Sequence, residues 1–466
     1  MLTGLVVGKG ALFLSLMLLS RYLDDTSFGT ITFAISLSLI LYFIIDMGVS
    51  LIANRKFSID PSRIQEVFST ALGLRAILTL LGYSLLLGAS LIFYSKTQAL
   101  IVGIIGAGVV LESWGELVFA IFRSRERMEL EARSRIAGAV TSLVLVLIVV
   151  RADLGVYAAA ATYTVRAAVL LTSAFLALGR FRIRLTPGFS RTHITKLLRE
   201  SWPLGAMGLL LVAFQRLDVV IMEACMGIRA VGAYNELFRV LETMVLVITP
   251  TLLPGALFPS LCRVFRDGWS GFSRRMGGIA QLITGLAVLV MIPVFAGGTR
   301  LLESLWGSDY LRGQDPGDFQ LAFIILMAAI PILFWMNYLV AGVIAAGRQK
   351  ITIVVTAVSL LLSVGGNLVL IPMIGLPGAA IMVAASNGVM ALLYFVVLRK
   401  LGPLPLLGGI WKPAISALAG VLVIYMTRNI PSLPVRMLTP AAAYLAVWLP
   451  LGGLKPLKSI AMRKSI

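Results

Sequence analysis

Long apolar stretches alternate with short basic ones along the whole chain. A helix needs about 20 mostly apolar residues to cross about 30 Å of hydrocarbon. Fourteen stretches meet that length: 2–20, 29–53, 68–94, 98–122, 134–151, 156–178, 201–226, 231–261, 276–297, 318–345, 350–372, 376–398, 410–427 and 436–453. The pattern predicts an all-α, polytopic membrane protein of about 14 transmembrane helices. Lys9 and the apolar run to Leu19 have the outline of a signal peptide. No small-residue cleavage site follows at Ser20-Arg21, and thirteen further spans come after, so the first stretch reads as a span.

Composition agrees with that pattern. Of 466 residues, 59% are apolar and 13% charged, against about 45–50% and about 25% in soluble proteins. The excess apolar surface must face lipid. The net charge of +19 would suggest nucleic acid in a soluble protein. Here the basic residues flank apolar segments, so the positive-inside rule accounts for them and no nucleic-acid partner is expected. Cys225 and Cys262 lie far apart in apolar segments and offer neither a disulfide framework nor a metal spacing. The single histidine, His193, sits in a basic stretch. No metal site, proton relay through histidine or cofactor is expected, and no phosphate loop for a nucleotide is present.

Charge sets the orientation. The loops after even-numbered spans, together with the tail, hold twenty-seven of the 40 lysines and arginines, and the loops after odd-numbered spans hold eight. That bias places the even loops and both termini in the cytoplasm. The chain is thus expected in the cell inner membrane. The longest inner loop, 179–200, is strongly basic, which suits a short helix on the inner membrane face.

A repeat is visible. Leu154-Gly155-Val156-Tyr157-Ala158-Ala159-Ala160 opens the sixth span, and Ile374-Gly375-Leu376-Pro377-Gly378-Ala379-Ala380 opens the twelfth. Phe28-Gly29-Thr30-Ile31 and Val231-Gly232-Ala233-Tyr234 match more weakly before the second and eighth. Two six-helix bundles are expected, at 1–190 and 191–400, followed by two additional helices and a basic tail at 401–466. Repeated bundles are a transporter plan, with substrate between the halves.

Several segments resemble the polysaccharide flippases of the multidrug/oligosaccharidyl-lipid/polysaccharide exporter superfamily. They are Leu19-Ser20-Arg21-Tyr22-Leu23 with Phe28-Gly29, Asp46-Met47-Gly48 with Arg55, Ala341-Gly342 to Gly347-Arg348, and Gly375 with Gly378-Ala379-Ala380. The resemblance implies two six-helix bundles around a central cavity. It also implies alternating-access transfer of a lipid-linked oligosaccharide or polysaccharide precursor, by a monomer that works among membrane lipids and beside other glycan-assembly proteins. Family members usually carry more residues before the first span. The alternatives are a drug or organic-cation antiporter or a lipid-II flippase of the same superfamily and, from another class, a membrane glycan enzyme. The short, histidine-free outer loops argue against the enzyme.

Charges within the spans are the candidate site, because each costs several kcal/mol unless it pairs or meets water. The cations are Lys9, Arg75, Arg166, Arg216 and Arg239; the acids are Asp46, Glu112, Glu116, Asp218, Glu223, Glu236 and Glu242. At about 1.5 Å per residue, Lys9, Asp46, Arg75 and Glu116 fall about 10 Å from the cytoplasmic face, and Glu112 and Arg166 near the middle. Arg216, Asp218, Glu236, Arg239 and Glu242 fall about 8–16 Å from the outer face. Pairing is one reading: Arg239 can bridge Glu236 and Glu242 at i, i+3 and i+6, and Arg75 can neutralise Asp46 or Glu116. Binding of the substrate's phosphate by all five cations is the other, since guanidinium binds phosphate bidentately. Lys9, Arg216 and Arg239 lead, because the first, seventh and eighth spans line the cavity in the resembling family. Glu112 and Glu116, one turn apart, are candidates for proton or Na⁺ coupling. Pro250, Pro254 and Pro259, with Gly255, predict a bent eighth span.

Overall fold

A computed structural model describes residues 2–181, 183–252, 261–262, 264–265, 268–307 and 310–454, and their side chains except those of 2–9, 246–252 and 407. The described regular structure is helical. The first helices are α1 (Leu2–Tyr22), α2 (Asp25–Asp46), α3 (Val49–Ile59), α4 (Ile64–Phe93), α5 (Lys96–Ser124), α6 (Met128–Arg151), α7 (Gly155–Leu178) and α8 (Arg191–Met226). Then follow α9 (Ile228–Leu252), α10 (Trp269–Trp306), α11 (Pro316–Ala328), α12 (Ile330–Ala345), α13 (Gln349–Ile374), α14 (Leu376–Arg399), α15 (Trp411–Thr427) and α16 (Leu433–Trp448).

Among the described residues, every predicted span coincides with one of these helices or with a consecutive pair, the eighth as far as Leu252. Ten of the helical segments are long and apolar enough to cross a membrane by length and composition. Two differences follow from single residues. The second span is broken into α2 and α3 at Met47 and Gly48, both left-handed with φ of 41° and 74°. The tenth is broken at Ala329, because Pro331 in the first turn of α12 has no amide to continue the ladder. Of the strongly basic stretch 179–200, expected to include a short helix on the membrane, the second half from Arg191 becomes the start of α8, whose 36 residues run on into the seventh span. Of the predicted bend in the eighth span, Pro254, Gly255 and Pro259 lie outside the described residues.

The chain forms two compact units, Met1–Gly232 and Ala233–Ile466. In the first, α1 packs on α6, α5 and α6 on α7, and α2 on α5 and α8. One apolar core gathers Phe57, Phe68, Phe119 and Phe122; another gathers Ile31, Ile101, Ile105 and Val146. In the second, α13 packs on α14, α14 on α11 and α12, and α15 and α16 on each other and on α10. The last two helices dock through their aromatic residues. Tyr444 donates to the Gly285 carbonyl at 2.9 Å, and Trp448, buried, occupies the space a side chain at Gly285 would need. The repeated glycines, Gly155 and Gly375, open α7 and α14 with φ of 76° and 65°.

Gly48 belongs to a close backbone approach in the first unit. A Cβ there would stand 2.7 Å from the Ser201 carbonyl oxygen and 2.9 Å from the Gly205 amide nitrogen, on top of its positive φ. Gly48→Ala is expected to destabilise the protein by about 1–3 kcal/mol, read as a lowered Tm of the purified protein. Gly88→Ala, with nothing within 4 Å of the added Cβ, is the control and leaves the Tm unchanged or raised.

Candidate functional site

Three charged clusters lie inside the first unit. The most buried is built at the α2–α3 break. Asp46 ends α2, where the helix dipole disfavours a carboxylate, and precedes α3, where it favours one. Ser50, the second residue of α3, donates to its Oδ1 at 2.6 Å. Arg75 of α4, fully buried, completes the cluster: one terminal nitrogen donates to Asp46 Oδ1 and, at 3.0 Å, to Ser50 Oγ. The other terminal nitrogen donates to the Ser113 carbonyl of α5. One guanidinium therefore ties four helices at the only break in the second span.

The second cluster joins α5 to α7. Arg166 donates to Glu112 Oε2 at 2.6 Å and lies over the Tyr163 ring at 4.6 Å. The third closes the α5–α6 turn. Arg123 bonds Glu116 at 3.0 Å and Glu131 at 2.6 Å, while Arg135 bonds Glu131 at 3.0 Å and also Glu116. Two carboxylates and two guanidiniums thus alternate in a closed ring. Glu112 and Glu116, expected as a candidate coupling pair, each carry an arginine. Glu131, Arg123 and Arg135 were legible only as loop charges, although the i, i+4 spacing of Glu131 and Arg135 signals a local pair. Arg216 and Asp218, both buried, lie on α8 two residues apart, with Glu223 half-buried toward its end. Lys9 lies on α1, and its side chain is outside the described residues.

In the second unit Arg239 donates to Glu242 at 2.9 Å. The expected bridge back to Glu236 is replaced. Glu236, fully buried, accepts from Arg312 Nε at 2.9 Å and Nη2 at 2.7 Å. Arg312 belongs to the loop before α11 and holds a left-handed φ of 50° to reach inward. Among the described residues no group of His, Cys, Asp and Glu is arranged to hold a metal.

This arrangement is that of a polytopic helical membrane protein whose spans are cross-tied by buried ion pairs. The sequence model of the polysaccharide biosynthesis protein family matches residues 1–265, and the chain belongs to that family. A solved lipid II flippase MurJ, in an inward closed conformation, superposes with a TM-score of 0.76 at 12% identity, over 99% of this chain and 100% of that one. An inward-facing multidrug resistance MATE family transporter of the MOP superfamily gives 0.64 at 17% identity, over 85% of this chain and 94% of that one. A MOP superfamily transporter from Pyrococcus furiosus, whose binding pocket is described as of reverse polarity, gives 0.58 at 16%, over 86% and 93%. A search of curated protein sequences finds no match.

Proposed function

We propose that this protein is a flippase that carries a lipid-linked oligosaccharide or polysaccharide precursor across the cytoplasmic membrane by alternating access. The observation that carries this reading is the polysaccharide biosynthesis family match over residues 1–265, on a chain with a lipid II flippase's fold along 99% of its length. The chemistry of the span charges supports it. A lipid-linked glycan crosses with a phosphate or pyrophosphate attached, and that anion needs cationic donors in place of water. Lys9, Arg216 and Arg239 fill that role in this reading. Arg75 and Arg166, held by Asp46 and Glu112, brace helices. Asp218, Glu236 and Glu242 are structural counter-charges. Glu112 and Glu116 are engaged by arginines, which favours bracing over ion coupling. A drug or organic-cation antiporter would want those carboxylates open to its cargo. Both termini are placed in the cytoplasm by the charge bias of the loops.

The test is reconstitution of the purified protein in vesicles with a radiolabelled undecaprenyl pyrophosphate-linked oligosaccharide. The labelled glycan is expected to become accessible to a membrane-impermeant glycosidase in protein-containing vesicles and to stay protected in empty ones. Equal protection in both would reject the flippase reading, and uptake of an organic cation instead would favour the antiporter.

A further inference from the structure

At one end of the first unit, the α3–α4 turn and the opening turns of α8 line a half-open cavity of about 330 Å³. Its wall carries charges of both signs on different elements. Lys56 ends α3, Asp60 and Arg63 form the turn, Glu66 opens α4, and His193 and Lys196 lie one turn apart on α8. Some of these are already matched. Arg63 forms a two-pronged bond to Glu66 at 2.9 and 3.0 Å, and Lys56 bonds Glu200 at 2.9 Å. Among the described residues, His193 and Lys196 make no hydrogen bond or ion pair. Asp60 accepts from the amide and hydroxyl of Ser62, which hold its carboxyl below the usual carboxylate range. The cavity therefore keeps two nitrogen donors on α8 that lack a hydrogen-bond partner, although both act electrostatically on Glu66, and an ionised carboxylate on the turn.

Its position is that of a lipid head group. Ile59, on the wall, is 71% exposed. Trp202, 54% exposed on α8, lies six residues beyond Lys196, about 9 Å along the helix. Exposed tryptophans mark the boundary between hydrocarbon and head groups, so the cavity lies just outside it.

We propose that this cavity binds the head group of a phospholipid with a primary ammonium, the phosphate against His193 and Lys196 and the ammonium against Asp60. A purely anionic head group would satisfy the α8 donors but face two carboxylates, Asp60 and the Arg63-held Glu66, and leave Asp60 without a donor from the lipid. A quaternary ammonium would match their charge but has no N–H to donate. A phosphoethanolamine head group supplies an acceptor for one side and a donor for the other. The site uses only residues of the first unit and is independent of whether the protein transports glycans.

The test is lipid retention by the purified full-length protein, counted by native mass spectrometry after equilibration with dioleoyl phosphatidylethanolamine, phosphatidylcholine or phosphatidylglycerol. Phosphatidylethanolamine is expected to be retained about fivefold over phosphatidylcholine, the net worth of about one hydrogen bond from the ammonium to Asp60. His193→Gln with Lys196→Gln, which removes the phosphate donors, lowers retention of phosphatidylethanolamine and phosphatidylcholine alike. Asp60→Asn, which keeps the turn's acceptor, raises phosphatidylglycerol to the level of phosphatidylethanolamine. These side chains are solvent-facing, and an unchanged Tm confirms that the variants are folded. Soluble phosphoethanolamine is expected to displace the lipid and inorganic phosphate is not. Equal retention of the three lipids, a preference for phosphatidylglycerol in the native protein, variants that retain phosphatidylethanolamine unchanged, or displacement by inorganic phosphate would each overturn the proposal.

Discussion

Arg75→Leu is expected to cost about 3–5 kcal/mol, because it strands the Asp46 carboxylate in the interior. Arg75 is fully buried and Asp46 nearly so, with a side chain 13% exposed. The loss falls on four helices together, since the same guanidinium also holds Ser50 and the Ser113 carbonyl. The measurement is the Tm and the folded yield of the detergent-purified protein. Asp46→Leu combined with Arg75→Leu should recover much of the loss, because replacing both members of a buried pair with apolar groups removes the stranded charge. A double variant no more stable than Arg75→Leu would show that the two residues are not coupled.

The second large effect concerns export. Arg216→Gln together with Arg239→Gln is expected to lower glycan export by about a hundredfold or more, since charge-assisted hydrogen bonds contribute about 1.5–3 kcal/mol each. Protein abundance in the membrane should be unchanged. Arg239 is the more accessible of the two; its side chain is 21% exposed and shares a bond with Glu242. Glu242→Gln, which releases Arg239 from its neighbour, separates a structural from a binding role: export holds or rises if Arg239 meets the phosphate. Conversion of both arginines to lysine keeps the charge and loses the fork, so partial export is expected. Normal export in the double glutamine variant, assayed in cells lacking the native protein, would remove both residues from the site.

The helices were legible because lipid imposes a length on every apolar run, and each of the fourteen runs has its helix or pair of helices. Their interruptions were not. Gly48 and Pro331 lie inside continuous apolar stretches, where length alone does not distinguish a straight span from a broken one. Local ion pairs could be read from spacing, as with Arg239 and Glu242. The partner of Arg75 was one of two named carboxylates, and only the fold chooses Asp46 over Glu116. Glu236 shows the limit. Its spacing pointed to Arg239, yet its partner Arg312 is 76 residues away in a loop, and nothing along the chain announces that contact. The same limit applies to the cavity at the α3–α4 turn. His193 and Lys196 read as part of a basic loop until α8 carries them opposite Asp60.

The Asp46–Arg75 pair also constrains how the chain enters the membrane as it is made. Asp46 emerges from the ribosome 29 residues ahead of its cation. A lone aspartate costs up to about 2.5–3.5 kcal/mol at the centre of an inserting helix and less toward its end, where Asp46 lies. The second span therefore gains its full stability in lipid only when the third arrives with Arg75, which makes the two spans a single insertion step. Slowing synthesis between residues 46 and 75 should lengthen the time that the second span remains beside the insertion machinery, while Asp46→Leu should release it early.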